Sequence, residues 1–172
     1  STFNTPPLVE AADTGPFFHN NSVETIEGAV GFYSGQAFNN SPSGRFLAST
    51  DPNRVGIRLD ATQTVEVAAF LRVINALENI RQAVEALEMV RALGYFERER
   101  GALLLRRAAK ETGDAAGVRA GAGLHRDAVE RLHEAKRLAE RAAGSASTHR
   151  GLAGRAAEEL KKARAMLVEE PS

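Results

Sequence analysis

Two side chains within the first 35 residues have the type and setting for chemistry: His19 in the run PFFHNN and Tyr33 at the end of TIEGAVGFY. An imidazole placed directly after two aromatics and a turn can donate to an anionic group or hydrogen-bond a loop carbonyl. A phenol can ligate a metal through its oxygen, or it can close a helix against neighbouring rings. Phe17, Phe18 and Phe32 supply apolar walls, for a pocket or for plain core, and both readings bury them. Pro16 shapes the turn before them. Other candidates are weaker. His125 and His133 lie eight residues apart on a polar helix pattern, which is not metal-ligand spacing, and His149 falls near a helix start. Met89 and Met166 are helix-face residues. No Gly-rich phosphate loop, Ser/His/Asp order or cluster of metal-ligand carboxylates stands out.

The elements that must position His19 and Tyr33 divide near residue 60. Residues 1–60 hold five of the six prolines, six of the eight phenylalanines and six of the fifteen glycines. Their three basic and six acidic residues leave a net charge of −3, and the remainder is therefore +3. Thr5-Pro6-Pro7 fixes an extended start, and Gly15-Pro16 marks a turn. Thr25 caps a short helix to about Tyr33, with Glu27 in its first turn favoured by the helix dipole. Val30 falls on the Ile26 side, while Phe32 and Tyr33 extend around its end. Residues 34–56 read as a long irregular loop.

Asp60 opens the main helix, with Gln63 completing a capping-box variant. Val67, Phe70, Leu71, Ile74, Leu77, Ile80, Val84, Leu87 and Val90 follow at spacings of three and four, up to a stop at Gly94. That is a helix of about 33 residues and roughly 50 Å, so a kink near Asn75–Asn79 or a protruding hairpin is expected. A second helix is expected over 95–112, ending at Gly113. A third runs over 118–143 with Leu124, Val129, Leu132 and Leu138 on its apolar side. After a break and recapping at Ser145–Thr148, a fourth covers 149–169 with Leu152, Leu160 and Leu167. Antiparallel packing hides these stripes. The many alanines allow close approach but bury little area each, so the bundle is expected to be marginal alone.

The 172 residues and 18.4 kDa suffice for one ordinary core, or a small core with an appendage. Lys+Arg and Asp+Glu balance at 22 each, which gives no charge argument for nucleic acid. No segment reaches the roughly 20 apolar residues of a membrane helix. The chain opens at Ser1 without a Met or a signal-like apolar run, so an export signal is expected to have been removed or to lie upstream. The absence of cysteine excludes disulfides, thiolate metal sites and covalent c-type haem within this sequence.

Three linked motifs carry a family resemblance: Phe3, Thr5, Pro6 and Leu8; then Thr14, Pro16, Phe17, Phe18, His19 and Ser22; then Thr25, Ile26, Glu27, Ala29, Val30, Phe32 and Tyr33. LDATQTVEVAAFLRVI at 59–74 echoes a closing helix. In this order they resemble the C-terminal haem domain of the bacterial di-haem cytochrome c peroxidase and MauG family, over about residues 3–74. Two positions depart from it. Val9 replaces an Arg that can pair with a haem propionate, and Asn20-Asn21 replaces Asp-Gly, a milder change because Asn tolerates turn geometry.

The resemblance implies an all-α fold. A loop-rich, cytochrome-c-like haem-domain fragment (1–74) would be followed by a helical extension (75–172), an antiparallel bundle or hairpin that the family does not explain. It implies haem c attached through C-x-x-C-H on a companion chain or an upstream segment. Tyr33 would be the axial iron ligand on the distal side, stabilising oxidised iron. His19 would contact a propionate or the electron path, and Pro16, Phe17, Phe18 and Phe32 would line the pocket. The implied protein is a periplasmic oxidoreductase acting on a protein or peptide substrate or a small electron donor. The alternative is a haem-free helical interaction or scaffold protein that retains a fragment of the fold.

Overall fold

The computed structural model describes residues 8–9, 11–93, 97–120, 126–145 and 149–168. The chain is all-α: seven α-helices and one 3-10 turn at Ala11–Asp13 make up the regular structure of the described residues, beside an isolated antiparallel bridge between Phe17 and Val23. Contacts divide the chain into two compact units, Ser1–Arg72 and Val73–Ser172. The expected extended start through Phe3 and Thr5-Pro6-Pro7, the stop at Gly94, and Leu124 and His125 lie outside the described residues, as do 146–148 of the expected break.

In the first unit, helix α1 spans Ile26–Ser34 and is capped as its sequence requires, the Thr25 hydroxyl accepting from the Gly28 amide at 3.1 Å. Ile26 and Val30 bury with Ala68 and Leu71, and Phe17 and Leu59 pack against that cluster. Residues 34–56 are not the irregular loop expected. They contain α2 (Gln36–Asn39) and α3 (Pro42–Thr50). Ser41 caps α3 by accepting from the Gly44 amide at 3.1 Å, and Pro42 occupies a first-turn position where its missing N–H costs nothing. The density of Asn, Ser, Pro and Gly there reads as a turn although it is a helix start. Asp51 ends the segment by accepting the Asn53 and Val55 amides, each at 3.0 Å, and those amides hold its carboxyl below the usual carboxylate range.

Helix α4, Ala61–Ala92, begins with the expected reciprocal cap. The Gln63 amide donates to Asp60 Oδ1 at 2.8 Å, and the Asp60 amide donates to Gln63 Oε1 at 3.0 Å. Its first turns do not bury the stripe read from the sequence. Ala68 and Leu71 face the core, whereas Phe70 is 60% exposed and Val67 is exposed. Phe70 lies two residues beyond Ala68, on the opposite side of the helix from the face that packs with Ile26 and Val30.

Arg72 Nη1 donates to Glu27 Oε1 at 2.5 Å, tying α1 to α4, and this bond holds the Glu27 carboxyl low against the opposing effect of its partial burial. A lowered pKa means stability present above the unfolded value, about 4.3, and lost as pH falls through the folded value. About a third of the Glu27 side chain stays exposed, so solvent screens the pair. Glu27→Gln is expected to cost about 0.5–1 kcal/mol at pH 7 and nothing near pH 2, read as urea midpoints at the two pH values. An equal loss at both would show that packing, not charge, matters at this position.

The second unit is built from the rest of α4 together with α5 (Arg98–Ala120), α6 (Arg126–Ala143) and α7 (His149–Val168). Side-chain pairs trace a closed antiparallel ring. Arg107 reaches Gln82 at 2.9 Å, Arg131 reaches Glu159 at 2.7 Å, and Lys161 reaches Glu88 at 3.2 Å. α5 and α6 also pack on each other. Leu152, Leu160, Leu132 and Leu138 are buried as their spacing predicts. α4 runs unbroken past the buried Asn75 and Asn79. α5 continues through Gly113 instead of stopping there. Thr112 Oγ1 donates to the Ala108 carbonyl at 2.7 Å, and Ala115 and Ala116 after the glycine are buried, so tertiary packing outweighs the local cost of glycine. Alanine supplies fifteen of the twenty-four residues in this cluster, which leaves its large apolar contacts to seven leucines with Ile80 and Val90.

Candidate functional site

The 100° step of a helix explains how Tyr33 comes to be available. With Ile26, Ala29 and Val30 turned to the core, Phe32 falls on the opposite side of α1, while Tyr33 continues their face into the last turn, beyond the buried residues. Each is 41% exposed, so the expectation that Phe32 is buried does not hold. Four rings gather there. Phe32 lies 4.8 Å from Phe18 and 5.6 Å from Tyr33 between centroids. Tyr33 lies 6.2 Å from Phe18 and 4.8 Å from Phe38, and the latter contact is edge-on. Phe38 is also 6.0 Å from Phe32. These separations are in the range where ring quadrupoles attract.

Phe17 and Phe18 part company. Phe17 is held by its amide donating to the Val23 carbonyl at 2.6 Å, and it packs on the core cluster. Phe18 has φ +65°, a left-handed conformation that a bulky residue adopts only under constraint, and its ring meets Phe32 and Tyr33. The turn closes where the Asn21 amide donates to the Phe18 carbonyl at 3.1 Å, with Asn21 itself at φ +53°. His19 and Pro16 are exposed on this turn. The structure therefore brings Phe18, Phe32 and Tyr33 together, packs the half-buried Phe17 against the core cluster, and leaves His19 and Pro16 outside the ring contacts.

The sequence reading missed two residues of this site, Phe38 and Asn39. Asn39 fastens the end of α1 to the segment before α4. Its Nδ2 donates to the carbonyls of Tyr33, Gly35 and Ile57 at 3.2, 3.1 and 3.0 Å, and its Oδ1 accepts from the Ile57 amide at 3.2 Å. Ser34 Oγ accepts from the Leu59 amide at 3.0 Å. Gly56, at φ +69°, leaves room for this carboxamide, since a Cβ there would lie 2.5 Å from Asn39 Oδ1. No local pattern announces Asn39, whose partner Ile57 is eighteen residues away. Phe38 has a local signal, an aromatic five residues beyond Tyr33, that was hidden by reading its segment as loop.

Comparison with known proteins returns no matching family model, no matching curated protein and no matching solved structure. Among the described residues no group of three or more His, Asp or Glu side chains is placed to hold a metal ion, and no helix is long and apolar enough to cross a membrane.

Proposed function

We propose that the first unit is the distal side of a cytochrome-c-like haem domain of the di-haem peroxidase/MauG type. Its haem c would be attached covalently to a companion chain or an upstream segment carrying C-x-x-C-H. The observation that carries this reading is the half-exposed phenol of Tyr33 on an open platform of Phe18, Phe32 and Phe38. The residues present fit such a group in kind. A flat apolar macrocycle is matched by aromatic rings left uncovered, and a ferric iron by a phenolate oxygen. When bound, the haem supplies the electron-transfer and oxidation chemistry.

The chain's own residues have distinct parts in this account. Tyr33 would hold the iron through its phenol oxygen, and anionic oxygen ligation would favour the oxidised metal. Phe18, Phe32 and Phe38 would exclude water from its surroundings once the macrocycle covers them. Asn39 positions Tyr33 through the main-chain carbonyl. His19, on the exposed turn beside Phe18 in sequence, is a donor for a propionate, the more needed because Val9 cannot pair with one. Phe17 and Pro16 support the turn. The resulting activity is a periplasmic oxidation of a protein, peptide or small electron donor.

A haem-free interaction or scaffold protein is the second reading. It is favoured by apolar exposure on the first unit that the ring platform does not include, such as Phe46, 67% exposed on α3, and Phe70 on α4. A haem-stained denaturing gel with intact mass, run on material from the native source, separates the two. Haem on a companion band co-purifying with this chain, unmodified in mass, supports the haem reading. A lone colourless chain overturns it in favour of the scaffold.

A further inference from the structure

The second unit contains a groove of about 560 Å³, bordered by Arg91 at the end of α4, Glu134 and Leu138 of α6, and a run of α7 from Arg150 to Lys162. Its charges are not balanced as their numbers suggest. All three carboxylates are already engaged: Glu134 by Arg137 at 2.6 Å, Glu158 by Lys161 at 3.5 Å, and Glu159 by both Arg131 at 2.7 Å and Lys162 at 2.8 Å. The arginines are not. Among the described residues Arg91 and Arg155 form no ion pair, and Arg150 donates to the Leu93 carbonyl, a neutral partner. The neighbouring segments 94–96 (GYF) and 146–148 (AST) carry no acidic residue that could neutralise them. Three guanidinium groups thus border one recess without an ion-pair partner.

The groove's α7 wall has a second peculiarity. Gly151 and Gly154 lie inside that helix, where glycine is disfavoured relative to alanine. Packing does not demand them. A Cβ on Gly151 would meet nothing within 4 Å, and one on Gly154 would rest 3.8 Å from Arg91 Nε, an ordinary contact. Both keep the groove open where a methyl group would intrude.

We propose that this groove binds a small soluble phosphate-bearing anion, held by Arg91, Arg150 and Arg155. Guanidinium forks match the paired oxygens of a phosphate, and recesses of several hundred Å³ suit small ligands. Pyrophosphate is the probe, titrated calorimetrically into the full chain at ionic strength fixed with chloride. Saturable binding is expected, weakened about tenfold or more by Arg91→Gln with Arg155→Gln, the scale of losing charge-assisted hydrogen bonds. Gly151→Ala with Gly154→Ala keeps the test open should the arginine variant fold poorly. This variant is expected to melt at a higher temperature than the parent yet bind pyrophosphate less tightly. Absence of saturable binding to the parent chain, or equal affinity in parent and both variants, overturns the proposal.

Discussion

Gly44→Ala is expected to dismantle the aromatic platform. An added Cβ would fall 2.1 Å from the Phe38 carbonyl oxygen and 2.7 Å from Asn39 Cα. Both are main-chain atoms, so no side-chain rotation relieves the clash, and the first turn of α3 must part from α2. The smallest methyl insertion therefore acts as severe overpacking, about 1–3 kcal/mol or more. The displacement falls on Phe38, whose ring borders Phe32 and Tyr33, and on Asn39, whose amide holds the Tyr33 carbonyl. Near-UV circular dichroism should lose aromatic intensity together with the drop in stability. A variant with the parent's melting temperature and near-UV spectrum would show that α2 and α3 are not in close contact as described. The experiment thus reports on the support of the candidate site without touching the ring that carries the proposed chemistry.

Leu160→Ala is expected to have the largest effect in the second unit. Leu160 is fully buried on α7 in a cluster composed mainly of alanines. Where most core positions contribute a single methyl, each leucine supplies a disproportionate share of the apolar area, and alanine neighbours cannot swing in to fill the space it leaves. The loss should be about 2–5 kcal/mol, a large part of the 5–15 kcal/mol typical of a whole domain. It should appear as a lower urea midpoint with the same slope. Helix propensity does not complicate the result, because alanine is at least as good a helix former as leucine. Arg137→Ala, which removes one surface pair with Glu134, should by contrast cost less than about 1 kcal/mol. Comparable losses from both variants would contradict the alanine-dominated core.

The features legible in the sequence were those governed by neighbours in the chain. Thr25 and the Asp60/Gln63 pair cap α1 and α4 because the hydrogen-bonding partners are three residues apart. The leucine spacing of α6 and α7 set their buried faces. What escaped was decided at a distance. Ser41 and Pro42 start a helix in a stretch dense with turn formers, and α3 is fixed there by the approach of Gly44 to α2. Gly113 lacks the expected stop because the residues after it are buried. Spacing puts Phe70 in the expected buried stripe, yet it faces outward, since Ala68 and Leu71 are the residues that pack with Ile26 and Val30.

The site divides in the same way. The residue types at Tyr33, Phe18 and Phe32 could be singled out, but their ring contacts could not, and the adjacent Phe17 packs against the core cluster instead of joining the rings. Asn39 became visible only through Ile57, eighteen residues away. The arginine groove in the second unit combines positions 91, 150 and 155, which no local motif links.

Tyr33 is proposed to provide the iron-binding oxygen for a haem held by a companion chain or segment. The direct measurement is the absorption and paramagnetic resonance spectrum of the native haem-bearing assembly, with Tyr33 intact and as Tyr33→Phe. The change is expected to remove the phenolate-dependent features of one haem population and to raise its reduction potential, because an anionic oxygen no longer favours the ferric state. Spectra and potentials that superimpose for the two proteins would contradict it, and Tyr33 would then be a ring among rings at the end of α1.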